Sequence, residues 1–312
     1  MVLPVHGPLG PRLEEAGARV HVQPLAVLRR RLLTPSGIAR LGIQGRRERS
    51  GLAELATGAT LVHSNTSVIL GGWAAARSAE VPHVVHVREI YTGAASGLAA
   101  RAWPFWRRRL LAADARVCVS AAVAAQFNHG DQGWGPGTHV VHDGLTHGFG
   151  PLSRIDDRIG SQNEIAPFKI AVLGRISDWK GQDVLIRALA EPALAEIGAV
   201  GVIAGDAYPG EPAPDIEKLA NALGVNDRVR FLGFRQDPEE VLASVDAVAV
   251  PSTRPDPLPN SAIEALAAGI PVVAANHGGL PEIIRDRATG ILVRPGDPQA
   301  LAKAQRELAD DP

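Results

Sequence analysis

Short apolar runs rich in valine and other β-branched residues alternate with Ala/Leu-rich stretches whose apolar positions recur at helical spacing. The runs predict strands at Val2–Leu3, Arg19–Val22, Thr60–Val62, Val84–Val87, Val117–Val119 and His139–Val141. After a polar gap they resume at Lys169–Leu173, Gly201–Ala204, Val229–Leu232, Ala247–Val250, Val272–Ala274 and Ile291–Val293. Strands that alternate with helices predict parallel sheets built through right-handed crossovers. The gap, GFGPLSRIDDRIGSQNEIAP at 148–167, is rich in Gly, Pro, Ser, Asn and charge and reads as a linker. The predicted fold class is therefore α/β, with two doubly wound, parallel-sheet (Rossmann-like) domains facing a cleft. Their expected extents are 1–155 and 168–312.

Composition narrows this picture. Of the 312 residues, 46% are hydrophobic and only 4% aromatic, so Ala and aliphatic side chains must fill the cores. That suits buried parallel strands. A net charge of −1 argues against a whole-surface nucleic-acid binder. The single cysteine, Cys118, excludes an internal disulfide and sits in the apolar run RVCVS, where a buried strand residue is expected. A chain without disulfides reads as cytoplasmic. No apolar run reaches the roughly 18 residues that span a bilayer. The opening MVLPVHGPLG has neither the basic start nor the apolar core of a signal peptide.

The most informative window runs from Pro251 to Ile284. The strand DAVAV precedes a loop holding Asp256, and Glu264 follows after seven intervening residues, one turn into a helix. A strand, a loop and a helix start with acidic groups at one crevice is how open α/β sheets build ligand sites. Asn260 is expected to cap the helix and Gly269 to end it, with Pro271 beyond the stop. Ala262, Ala265 and Leu266 should face the sheet, and Glu264 should lie off that stripe. Pro255, Pro257 and Pro259 stiffen the loop and remove three amide donors. The amides left for a ligand are those of Asp256, Leu258, Asn260 and Ser261, the last two at a helix start that favours anions. No glycine fingerprint of the dinucleotide type follows a strand, which argues against a dehydrogenase.

From about Phe168 to Leu308 the chain resembles the donor domain of the GT-B retaining glycosyltransferases of the family 4 type. The resemblance rests on LGRISDWKGQDVLIRAL from Leu173, VIAGDAY from Val202, VRFLGF from Val229, and the Pro251–Ile284 window, which is similar to the family's E-x7-E motif with Asp256 in the first acidic position. In the N-terminal half, LVHSNTS from Leu61, HVVHVREI from His83 and VCVSAAVAAQF from Val117 resemble acceptor-domain strands. Against the family pattern, the first strand, glycine-rich loop and helix are expected to be missing, as are the last helices.

The resemblance implies the chemistry. The substrate would be a nucleoside-diphosphate sugar, with no cofactor and no metal. Arg175 and Lys180 would meet the diphosphate, Arg through its fork and Lys as a point charge. Gly174 would let the backbone approach. Glu264 would accept hydrogen bonds from the ribose hydroxyls. Asp256 stands where the family usually has Glu, one methylene longer, and would hold the transferred sugar. Leu258 and Pro259 replace a common Phe-Gly pair, so one backbone contact cannot carry over. His86 would reach the donor sugar, with His83 a competing match, and Arg88 would meet acceptor or phosphate. No Asp-x-Asp pair occurs, in keeping with metal-independent transfer.

The expected activity is retaining transfer of a sugar to an acceptor hydroxyl on a glycan or lipid-linked acceptor. Two alternatives stay open: a catalytically impaired nucleotide-sugar binding protein, and a GT-B sugar epimerase. The segment AWPFWRRRLLAA from Ala102, with Arg29–Arg31, Arg46, Arg47 and Arg49, suggests peripheral contact with an anionic membrane at its inner face. The competing reading of that segment is a helix that packs Trp inward and keeps Arg in water.

Overall fold

The computed structural model describes residues 1–29, 32, 34–91, 98–128, 133–145, 150–152, 167–208 and 213–311. The expected linker at 148–167 lies almost wholly outside them. The chain forms two compact units, Met1–Val141 and His142–Pro312. The division thus falls ahead of the polar stretch. Leu152, within that stretch, donates its amide to Ala268 O (3.3 Å) and packs on the core of the second unit.

In the first unit, β1 (Val2–Leu3), α1 (Leu9–Glu15) and β2 (His21–Val22) form a small parallel pair joined by a helix. The 22-residue α2 (Pro35–Ala56) follows, capped by the Thr34 hydroxyl on Gly37 N. Then come β3 (Val62–Ser64), α3 (Gly72–Ala79), β4 (His83–Val87), α4 (Leu98–Leu111), β5 (Ala115–Cys118), α5 (Ala121–Ala124) and β6 (Thr138–Val140). The last four strands make a parallel sheet in the order β3-β4-β5-β6. Two arginines, the buried Arg116 and the half-buried Arg107, tie the unit together. Arg116 Nη1 reaches the carbonyls of Leu110, Leu111 and Ala113 and so closes the open end of α4. Arg107 does the same for the carbonyls of Gln126, Phe127 and Asn128.

The second unit contains β7 (Lys169–Leu173), α6 (Gln182–Ala190), α7 (Pro192–Ala195), β8 (Val200–Ala204), α8 (Ile216–Ala222), β9 (Val229–Gly233), α9 (Pro238–Ala243), β10 (Ala247–Val250), α10 (Asn260–Ala267), β11 (Val272–Ala275), α11 (Leu280–Ile283), β12 (Gly290–Val293) and α12 (Pro298–Asp310). Its six strands are all parallel, in the order β12-β11-β10-β7-β8-β9. The sheet is covered on both faces, which explains why β8, β10 and β11 are buried at every position and read as unbroken apolar runs. Successive residues of β7 enter opposite cores: Ile170 and Val172 pack with Leu185, Leu189 and Leu301, while Ala171 packs with Val248, Ala262 and Leu280.

Small residues set the distance between layers. A Cβ on Gly201 would lie 2.8 Å from Leu189 Cδ1, so a side chain there would have to displace Leu189 of α6. Chain order reverses between β7 and β10. In open α/β sheets the crevice outside the carboxyl ends at such a reversal is where ligands bind.

Candidate active site at the strand reversal

The loop after β7 is held before it reaches any ligand. Gly174 takes φ 135° and donates its amide to Ala204 O at 2.9 Å. Gln182, fully buried at the start of α6, directs Nε2 to the carbonyls of Gly174 (3.3 Å) and Arg175 (3.1 Å). Gln182 therefore fixes the turn that presents Arg175, whose guanidinium lies 5.6 Å from the ring of Tyr208. Gly181 precedes α6 at φ 79°, and a Cβ there would lie 2.1 Å from Pro251 O. This is the close packing of the β7 loop against the end of β10.

Lys180 and Asp256 meet at this junction. Lys180 Nζ is 2.7 Å from Asp256 Oδ2, with side-chain exposures of 24% and 5%. The ammonium also lies 4.6 Å from the Trp179 ring centre, and Ser252 Oγ approaches the same carboxylate oxygen at 3.4 Å. A second bridge, Arg254 to Asp178 at 2.6 Å, links the same two loops at the surface.

The loop after β11 completes the junction. Gly279 N donates to Asp256 O at 2.8 Å. Cβ atoms on Gly278 and Gly279 would lie 2.2 Å from Asp256 O and 2.1 Å from Pro257 O. His277 Nε2 is 2.8 Å from Ser252 O, and burial pushes its pKa down despite the neighbouring Asp256 carboxylate. With its pKa lowered the ring is neutral at pH 7, so Nε2 carries the proton and donates to that carbonyl.

Glu264 sits in the second turn of α10. It is half-buried, and among the described residues no side chain or amide hydrogen-bonds to its carboxylate. Burial first, then the nearby Glu239 carboxylate, pushes its pKa up. A carboxylate held in this way gains from hydroxyl donors brought by a ligand. Two expectations about α10 are met and one is corrected. Ala262 and Ala265 are buried with Leu266 packed beside them, and Gly269 (φ 76°) ends the helix with Ile270 N bonded to Ala265 O. Asn260, however, is the exposed first residue of the helix rather than its cap. Pro259 occupies the capping position, has no side-chain acceptor, and leaves the first amides without a side-chain partner. Ser261 lies half-buried one residue further on, and Leu258 is buried, so its side chain serves packing.

In the first unit, His86 is half-buried on β4 and stacks on His63 with ring centres 5.9 Å apart. His83, the competing match, is placed differently. It is buried at the amino end of the strand, bonded to Ser64 Oγ at 3.0 Å, and its pKa falls to about 4, chiefly through burial. Arg88 N donates to Glu89 Oε2 at 3.1 Å. Glu89 gathers the hydroxyls of Thr66 and Ser67, and Ser67 in turn meets Tyr91 Oη. A hollow of about 1330 Å³ in the second unit opens at the opposite ends of its strands, beside Phe168, Asp246, Arg285 and Glu307, and is not lined by Arg175, Lys180, Asp256 or Glu264.

Sequence reading missed Gln182, Ser252 and His277. Ser252 and His277 each follow a buried strand at its carboxyl end, which was the available signal.

Both halves match models of one enzyme family. Residues 2–144 match Glycosyltransferase Family 4 and residues 167–311 match Glycosyl transferases group 1. The chain belongs to the group 1/family 4 glycosyltransferases of GT-B fold. Among individual proteins it is similar to the D-inositol 3-phosphate glycosyltransferase of Salinispora tropica, 41% identical over 152 residues, which are 46% of this chain and 31% of that protein. It is also similar to the lipopolysaccharide core biosynthesis glycosyltransferase LpsE of Rhizobium meliloti, 32% identical over 64% of this chain and 54% of that protein. The matches thus span about a third to a half of these curated relatives. Anabaena HepE, solved with UDP and glucose, superposes with TM-score 0.77 at 28% identity, over 99% of this chain and 82% of that one.

Proposed function

We propose that the chain acts as a retaining glycosyltransferase that moves a sugar from a nucleoside-diphosphate sugar to an acceptor hydroxyl on a glycan or lipid-linked acceptor. The observation that carries this reading is the junction at the strand reversal. There Lys180 pairs with Asp256, the loop after β7 presents Arg175 beside Tyr208, and Glu264 on α10 offers a carboxylate with no hydrogen-bond partner among the described residues. Structures of HepE with UDP and with UDP-glucose support a donor of that class.

In this reading Arg175 and Lys180 take up the charge that grows on the leaving diphosphate. Glu264 accepts from the ribose hydroxyls, and the amides of Asn260 and Ser261 offer donors at a helix start. The acceptor attacks from the face the diphosphate leaves, and the departing phosphate receives its proton. His86 and Arg88 belong to the acceptor or sugar side. No protein nucleophile and no metal are required, consistent with the absence of an Asp-x-Asp pair.

The test is release of nucleoside diphosphate from UDP-, GDP- and ADP-sugars in the presence of candidate acceptors. Lys180→Ala and Glu264→Ala should each cut turnover at least a hundredfold. Unchanged rates in both would refute the assignment. A second reading, binding without transfer, draws on one observation: the Asp256 carboxylate is already paired with Lys180 and nearly closed to solvent. Saturable binding of a nucleotide sugar with no product from any acceptor would favour it.

A further inference from the structure

The direction in which the Arg175 side chain leaves the backbone is set by two peptide planes, one on each side of its Cα. Both planes are held by one side chain. The plane between Gly174 and Arg175 is tied at Gly174 O by Gln182 Nε2 at 3.3 Å. The plane between Arg175 and Ile176 is tied at Arg175 O by the same nitrogen at 3.1 Å. Ile176 N adds a bond to Asp206 O at 3.0 Å on that second plane. The two N–H groups of one amide thus match two successive carbonyls, and φ and ψ of Arg175 are fixed together.

Gln182 is well placed to hold still while doing so. It is the fully buried first residue of α6. Gly181 before it packs so closely on Pro251 O that a Cβ would lie 2.1 Å from that oxygen. Committing the nitrogen to both carbonyls leaves Gln182 Oε1 buried and without a partner among the described residues. A buried amide oxygen left in this way is unfavourable, so the orientation is dictated by the carbonyls and not by the oxygen. Ser177, the hydroxyl within the loop, does not share the task, since its buried Oγ is also unpartnered among the described residues. Tyr208 adds little to the aim: it is 60% exposed, and a cation–π contact at such a site is weak.

We propose, on the basis that Arg175 meets the donor diphosphate, that Gln182 is the positioning residue of that site. It touches no substrate. It acts through Arg175, by holding the guanidinium's point of departure fixed before the diphosphate arrives, so that little ordering remains to be done on binding.

The experiment is calorimetric titration of the whole chain with UDP, GDP and ADP. Arg175→Ala should weaken the tightest of these about 10- to 100-fold, the range of a charge-assisted hydrogen bond. Gln182→Met fills similar space and donates nothing, and should weaken it about tenfold through the lost aim of that bond. In the Arg175→Ala background the same change should cost less than about twofold, because its path runs through Arg175. A residue that only supports the fold would lower affinity equally in both backgrounds.

Gln182→Glu gives an independent second arm. As a carboxylate it would face two carbonyl oxygens with no proton to offer. Burial raises its pKa, and the protonated form has one O–H to donate. Its affinity relative to the parent at the same pH should recover severalfold between about pH 8 and about pH 5.5, while that of Gln182→Met stays level. Taking the ratio removes the titration of Glu264 and of the diphosphate. Melting temperatures show which variants fold, and either Gln182 variant carries the test alone. A folded Gln182→Met that binds like the parent, equal losses in the two backgrounds, or a flat ratio for Gln182→Glu would overturn the inference and leave the diphosphate reading standing. A parent that binds none of the three diphosphates, or an Arg175→Ala variant that binds them unchanged, would overturn both.

Discussion

Removing either partner of the Lys180–Asp256 bridge should give unequal effects, and the inequality follows from burial. At 2.7 Å and an effective dielectric of 20 the gross attraction is about 6 kcal/mol, most of it offset by the cost of taking both charges from water. Lys180→Met leaves Asp256 charged with only 5% of its side chain exposed and the hydroxyl of Ser252, at 3.4 Å, as its remaining side-chain partner. Stranding a buried charge costs about 3–5 kcal/mol, and that hydroxyl brings the expectation to about 3 kcal/mol. Asp256→Asn strands Lys180 instead, but its ammonium is a quarter exposed and can turn to water, so about 1 kcal/mol is expected. The double variant should recover part of the loss, with a coupling of at least 1 kcal/mol. Urea unfolding of the four proteins measures all of this. A calorimetric titration with UDP adds a second axis, since Asp256→Asn frees the ammonium and should bind the diphosphate at least as tightly as the parent. Losses that simply add, or a larger loss in Asp256→Asn than in Lys180→Met, would refute the argument.

Three further outcomes follow. The raised pKa of Glu264 means the folded state holds its proton more tightly than the unfolded state. Its contribution to stability is full below the unfolded pKa and is lost as pH rises through the folded one. Glu264→Gln should therefore raise the melting temperature at pH 7 and weaken nucleoside binding, and the parent's binding should fade on acidification at a pH above the usual carboxylate range. Gly278→Ala must take φ 62° and place a Cβ 2.2 Å from Asp256 O, so a loss of about 2–4 kcal/mol is expected by denaturant unfolding. Cys118 is fully buried with its thiol pushed up to about 12, so it should resist a thiol reagent at pH 8 until the chain unfolds.

The fold was largely legible because buried parallel strands advertise themselves as apolar runs. The sequence predicts twelve strands and the described residues form twelve, most within a residue or two of the expected bounds. The run Thr60–Val62 starts early because Leu61, apolar but 47% exposed, lies outside the sheet, where β3 begins only at Val62. Asn260 was misread because capping preference is local, whereas the loop geometry brings Pro259 to the helix boundary. The charged members of the candidate site could be named from the sequence, but their pairing could not. Nothing in the spacing between Lys180 and Asp256 reveals that they touch, since strand order decides it. Gln182 was hidden for a similar reason: a polar residue at a helix start looks solvated until the turn folds over it.

The three loops at the strand reversal hold one another through glycines at 181, 278 and 279 that leave no room for a methyl group. Their shape is thus set by contacts within the protein. Directed evolution of donor preference should find few tolerated changes in those loops. Productive positions lie instead at the open ends of β8 and β9, where Tyr208 (60% exposed) and Phe234 (70% exposed) can be exchanged without disturbing a neighbour's backbone.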